Sequence, residues 1–205
     1  MRVPGRYLTS ALLGLFSAAV YAAPMLSLTP ASQTVSNGSL VTVGLVVSGL
    51  SDFSAPSLST FDVQIGYDPT ILAATGGTIG DPVNGDQLDL SGFGTINAID
   101  TSIPGTTEPY EISFDFPSEL DTLQLGSFAL ASLTFNALAP GTSPLTIASM
   151  VLGDSNGDPL AAQIQNANVT VSSPSMSVPE PPTVLLIGLG LLVMACLVRP
   201  DFDSC

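Results

Sequence analysis

Phe61-Asp62-Val63-Gln64-Ile65-Gly66-Tyr67-Asp68-Pro69 is the stretch that decides the fold. Apolar residues recur at every second position. Side chains of a strand point alternately to its two faces, so Phe61, Val63, Ile65 and Tyr67 are expected on a buried face, with Asp62 and Gln64 in water. Asp68-Pro69 then closes the strand, since proline offers no ladder donor and both residues favour turns.

The same period recurs on either side. Val41, Val43, Leu45 and Val47 share one face, Leu145 pairs with Ile147, and Val169 with Val171. Tyr110, Ile112, Phe114 and Phe116 are read as another core-facing row, around Glu111, Ser113 and Asp115 turned to solvent. Phe128, Leu130, Leu133 and Phe135 alternate but slip phase between Leu130 and Leu133, which predicts a bulge. Asn37-Gly38, Asp68-Pro69, Pro140-Gly141 and Asn156-Gly157 supply turns. The Gly- and Asp-rich run from Thr75 to Glu108 is expected to hold one or two edge strands or a functional loop. No segment of the domain shows a helical period. Many short antiparallel strands punctuated by Gly and Pro define an all-β fold, an antiparallel β-sandwich or jelly roll.

Composition narrows the chemistry. The 205 residues include three basic and seventeen acidic ones, a net charge of −14. Arg2, Arg6 and Arg199 flank apolar ends, so everything from Pro24 to Val198 lacks Lys, Arg and His. Such a domain cannot neutralise phosphates, which excludes nucleic acid and anionic headgroups as partners. Without His there is no Ser/His or Cys/His nucleophile pair and no His-ligated metal. Cys196 and Cys205 lie outside the domain, so no disulfide staples it. No catalytic residue is assigned, and the chain is read as a non-enzyme.

Both ends look like addresses. Arg2 and Arg6, the apolar run from Leu8 to Val20, and Val20-Tyr21-Ala22 read as a secretory signal peptide cut between Ala22 and Ala23. Thr183 to Val198 is sixteen residues without a charge, about 24 Å as a helix. That is a short transmembrane span, with Arg199 on the cytoplasmic side. Before it, Ser172 to Ser177 and Val178-Pro179-Glu180-Pro181-Pro182 form an extended Pro/Ser linker whose backbone a protease can reach. The predicted organisation is therefore a signal peptide over 1–22, a globular domain over 23–172, a linker over 173–182, a membrane helix with its basic residue over 183–199, and a tail over 200–205.

Val178, Pro179, Glu180 and Pro181, the apolar helix and Arg199 together resemble the PEP-CTERM sorting signal, over about the last 28 residues. The resemblance implies recognition by exosortase, the membrane sorting enzyme of exopolysaccharide-producing Gram-negative bacteria. It also implies cleavage near Pro179-Glu180-Pro181, after export across the inner membrane, with delivery to the cell envelope, surface or matrix. The family usually ends in several Arg, whereas this chain has Arg199 alone and then Pro200 to Cys205.

The domain has a resemblance of its own. Val41-Thr42-Val43, Val46-Val47-Ser48-Gly49-Leu50, the Phe61 to Pro69 strand with Ile71-Leu72, Leu130 to Phe135 with Ala139 to Leu145, and Asp154 to Asp158 before Val169-Thr170-Val171 are similar to cohesin domains. That similarity, over roughly Leu26 to Ser172, implies a sandwich of about nine strands and a habit of binding dockerin-like proteins.

Asp154, Asn156 and Asp158 have the alternating oxygens of a calcium loop, but Pro159-Leu160 stands where the loop would continue to its bidentate acid. A type I′ hairpin at Asn156-Gly157 accounts for the same residues with no metal. No cofactor is expected, with calcium at these three residues as the alternative. The domain has no Trp, and Tyr67 and Tyr110 are placed facing the core, which leaves few rings for sugars to stack on. The leading function is a non-catalytic secreted or surface-displayed adhesion module binding a protein or polysaccharide. The rivals are a carbohydrate-binding module and a carboxylate-based glycoside hydrolase.

Overall fold

The computed structural model describes residues 23–173, together with helical positions 187–189, 191 and 194. The chain divides into two compact units, Met1–Ser172 and Ser173–Cys205. The signal peptide, the Val178 to Pro181 motif, Arg199 and most of the predicted membrane helix lie outside the described residues. Among the described residues no helix is long and apolar enough to cross a membrane.

Eleven strands and one short helix build the first unit: β1 Met25–Thr29, β2 Ser32–Ser36, β3 Leu40–Ser48, β4 Leu58–Gly66, β5 Leu72–Ile79, β6 Thr95–Asp100, β7 Thr106–Ser113, α1 Pro117–Leu123, β8 Phe128–Ala137, β9 Gly141–Asp154, β10 Gln163–Gln165 and β11 Ala167–Ser172. They form two sheets, ordered β10-β1-β3-β8-β5 and β2-β11-β9-β4-β7-β6. β1 with β10 and β2 with β11 pair in parallel, and the other pairs are antiparallel. The two extra strands over the nine expected include the three-residue β10.

The core lies between the sheets, as the period-two pattern requires. Phe61, Val63 and Ile65 of β4 face Val41, Val43, Leu45 and Val47 of β3, and all are buried. Each fully buried Leu, Ile or Phe contributes about 1.5–3 kcal/mol, so these two strands are the backbone of stability. Tyr67 packs edge-on against Phe135, with ring centroids 5.3 Å apart. The predicted slip in β8 is a bulge: Leu45 pairs with Ala131 and Val46 with Ala129, which leaves Leu130 without a register partner on β3. The extra residue lets Leu130 and Ala131 both bury their side chains. The Thr75 to Glu108 run holds most of β5 and all of β6, each at the edge of its sheet.

Three expectations fail. A helix exists: Pro117 occupies the first turn of α1, where the missing N–H costs nothing, and Glu119 accepts the Phe116 amide at 3.3 Å. Seven residues were too few to print a period. The turn at Asn156-Gly157 is not type I′, which needs positive φ at both central residues, because only Gly157 has it, at 85°. The third failure concerns β7 and creates the site described next.

Candidate binding face

β7 is turned the opposite way from its predicted phase. Thr107, Pro109 and Glu111 point inward, and Glu111 is 1% exposed. Ile112 is 47% exposed and Phe114 and Phe116 stand in solvent. The cause is the segment Asp81 to Gly94, which folds over the inner side of the β6–β7 hairpin and offers polar partners there. Ser113 donates its hydroxyl to the Leu88 carbonyl. The Ser91 amide donates to Asp115 Oδ2 at 2.9 Å, and from β6 itself Asn97 Nδ2 donates to Glu111 Oε1 at 3.1 Å. Two buried polar atoms, Thr107 Oγ1 and Asp115 Oδ1, have no partner.

Burial, and then the Asp86 carboxyl facing it, push the Glu111 carboxyl up to about 7. A carboxyl here is costly to ionise because no cation exists anywhere in the domain to face it.

On the opposite side the same inversion creates an apolar sheet face. Register puts Val151 of β9, Asp62 of β4, Tyr110 of β7 and Ala98 of β6 in one row across four strands. The adjacent row carries Thr60, Ile112 and Ile96. Val151, Ile96 and Ile112 are exposed. Beyond them Phe93 and Phe116 meet edge to face, centroids 5.2 Å apart and planes at 77°. Toward the other end of these strands Asp100 pairs directly with Glu108, and Asp62 lies near. Desolvation, followed by repulsion from Asp62 and Asp100, raises the Glu108 carboxyl. The face thus carries an apolar patch at Ile96 and Ile112 and acidic groups at Asp62, Asp100 and Glu108, with Val151 beside Asp62.

The rim is rigid. Gln124, buried just past α1, accepts the Leu58 amide at 2.6 Å and donates to the carbonyls of Leu58 at 2.8 Å and Gln87 at 2.9 Å. Asp121 Oδ1 takes the hydroxyls of Ser57 at 2.5 Å and Ser155 at 2.9 Å. These bonds tie α1, the Asp81 to Gly94 segment and the start of β4 together.

Of the residues singled out by sequence, Asp154, Asn156 and Asp158 do come together, but as a turn. Asp154 Oδ1 accepts the amides of Asn156 and Asp158, each at 2.9 Å, and the Asp154 amide donates to the Asp158 carbonyl. Among the described residues no group of three or more His, Cys, Asp or Glu is arranged to hold a metal. Ala23, on one side of the predicted cleavage point, is exposed; Ala22 lies outside the described residues.

The architecture matches solved cohesin domains. The sixth cohesin of scaffoldin B from Acetivibrio cellulolyticus, solved with a Cel5 dockerin mutant, superposes with a TM-score of 0.56 at 22% identity, covering 74% of this chain and 100% of its own. The seventh ScaB type I cohesin of Pseudobacteroides cellulosolvens gives 0.57 at 15% identity, covering 78% and 98%. A non-cellulosomal cohesin from the hyperthermophilic archaeon Archaeoglobus fulgidus gives 0.55 at 12% identity, covering 75% and 94%. The domain therefore has the cohesin fold, a jelly-roll sandwich. Residues 177–199 match the PEP-CTERM protein-sorting motif, so the chain joins a cohesin-like domain to a sorting segment. No curated protein matches the sequence.

Proposed function

We propose that this is a non-catalytic binding module, exported and then displayed at the cell envelope or in the surrounding matrix. In this reading signal peptidase cuts between Ala22 and Ala23, and residues 183–199 hold the precursor in the membrane. Exosortase then acts on the Val178 to Pro181 motif, with 23–172 as the functional domain and 200–205 left behind. The matched sorting motif supports the route.

The observation that carries the binding role is the inverted β7. Turning Ile112 outward and Glu111 inward is unfavourable for the isolated domain on both counts. Local rules broken in this way mark functional sites, where a partner supplies the missing compensation. The partner that fits is a protein with an apolar anchor for Ile96, Ile112 and Val151 and a Lys or Arg for the Asp62, Asp100 and Glu108 end. Some cohesins of the same fold are solved with dockerins, which supports a protein rather than a sugar as the occupant.

The test compares the full chain with an Ile96→Ser/Ile112→Ser variant, each immobilised and exposed to the extracellular fraction of its own cells. A protein retained by the parent and lost by the variant is the expected result. Equal retention, or release of reducing sugar from matrix polysaccharide, contradicts the reading.

A further inference from the structure

Phe53 breaks a local rule as plainly as β7 does. Among the described residues it alone, glycines aside, has a positive φ, at 54°. That is the left-handed region, which glycine and asparagine tolerate and a bulky side chain rarely enters. Burial does not offset the strain, because Phe53 is 56% exposed. A residue held both strained and wet points to a role beyond the stability of the domain.

The chain around it imposes this conformation. The Leu50 amide donates to the Gly126 carbonyl at 3.0 Å and the Phe53 amide to the Gln124 carbonyl at 2.9 Å. The Gly126 amide donates to Asp52 Oδ1 at 2.6 Å. Position 126 has to be glycine for this approach, since a Cβ there would collide with the Leu50 carbonyl oxygen. The turn is thus clamped just past α1, at Gln124, whose own side chain is buried and fully bonded.

Helix α1 connects this turn to the binding face. Phe116, at its N-cap, meets Phe93. At its other end Leu123 is exposed, next to the residue that holds the Phe53 amide. From Phe116 to Gln124 the helix rises about 12 Å. The exposed residues between, Pro117, Ser118 and Thr122, are uncharged. Exposed apolar groups therefore recur from Ile96 and Ile112 through Phe93 and Phe116 to Leu123 and Phe53, with no exposed charge on α1 to interrupt them.

We propose that Phe53, with Leu123 beside it, is a second anchor for the protein partner of the binding face, which reaches it by lying across α1. The proposal rests on the reading of Ile96 and Ile112 as the partner site. A clamped aromatic ring suits this role, since it is presented in one conformation before the partner arrives and little freedom is lost on binding. Asp52, exposed next to it, offers cationic side chains of the partner the same complement as Asp62 and Glu108.

Phe53→Gly tests this because stability and binding respond differently. Removing the side chain lifts the strain on φ and takes away the anchor. The full chain carrying this change, in mild detergent, is expected to melt no lower than the parent. The probe for binding is the protein that the parent retains from the extracellular fraction of its own cells, identified by mass spectrometry and purified. Its dissociation constant is expected to rise about tenfold for Phe53→Gly and to rise for Leu123→Ser as well. Phe53→Asn, which tolerates the same φ, stands in should the glycine variant not fold. Unchanged affinity overturns the anchor. So does a lower melting temperature accompanying weaker binding, because the ring then belongs to the fold. Weakening in Ile96→Ser/Ile112→Ser alone leaves the face and removes the anchor; weakening in Phe53→Gly alone keeps the anchor and removes the face.

Discussion

Glu111 and Ile112 are neighbours on β7, and the carboxyl is in the interior while the isoleucine is in water. A strand must send consecutive residues to opposite faces, so one choice of phase sets both. Here it is taken from the polar seat offered by Asp81 to Gly94 rather than from hydrophobicity. The consequences divide into those of the buried face and those of the exposed one.

Replacing Glu111 with Gln is expected to stabilise the domain at neutral and alkaline pH. The folded carboxyl is raised from 4.5 to about 7, so its contribution is intact below about pH 4.5 and lost by about pH 7. The variant should therefore exceed the parent by about 2–3 kcal/mol at pH 8 and by far less at pH 4.5. The difference between the two proteins is the quantity to measure, by urea denaturation at both pH values. Asp68, Asp81 and Asp100 are lowered by hydrogen bonds, which gives the parent an opposite background trend.

Core and face positions should separate cleanly. Phe61→Ala is expected to cost about 3–5 kcal/mol, the transfer loss of the ring plus a cavity between the sheets. Ile112→Thr, at an exposed site of a strand, should change stability by no more than about 0.5–1 kcal/mol. Thermal melts of the two variants decide this.

Gln124→Leu removes a side chain of similar size but strands the Leu58 amide and the Leu58 and Gln87 carbonyls. A loss of about 2–4 kcal/mol is expected, since buried groups left unpaired cost about 1–3 kcal/mol each and relax in part. Exchange of the Leu58 amide should rise in parallel.

Asp154→Ala should lower stability by about 1 kcal/mol through loss of the two amide bonds in the turn. The account predicts the same loss with and without millimolar calcium. A calcium-dependent difference in melting temperature would support the ligand reading of Asp154, Asn156 and Asp158.

Much of this was legible in the sequence, and the exceptions share one cause. β3, β4, β8 and β11 follow their apolar alternation because the inner face of each packs into the shared core between the two sheets. The Leu130 bulge was readable as a phase slip in β8. In β7 alternation gave the period, but which face is buried depends on what covers it. That cover comes from Asp81 to Gly94, a run with Leu88 and Leu90 but no regular pattern of its own. The face formed by Ile96, Ile112 and Val151 was missed for the same reason, since exposure on an outer sheet face is a tertiary property. Thr107 and Pro109, in phase with Glu111, were the one local sign that this strand's inner side is not uniformly apolar. Helix α1 escaped because Pro117 and Glu119 are helix-start signals with barely two turns behind them.

The most direct test of the binding account is the dissociation constant of the captured partner for the full chain, measured by calorimetry on the parent, on Ile96→Ser/Ile112→Ser, and on Leu40→Ser, an exposed site in the other sheet. The account predicts at least about a tenfold weakening for the double variant, the scale of a lost apolar anchor. The parent affinity should survive in Leu40→Ser, and all three proteins should melt alike. Equal affinity in the parent and the double variant, or a loss at Leu40 matching it, would contradict the placement of the binding face.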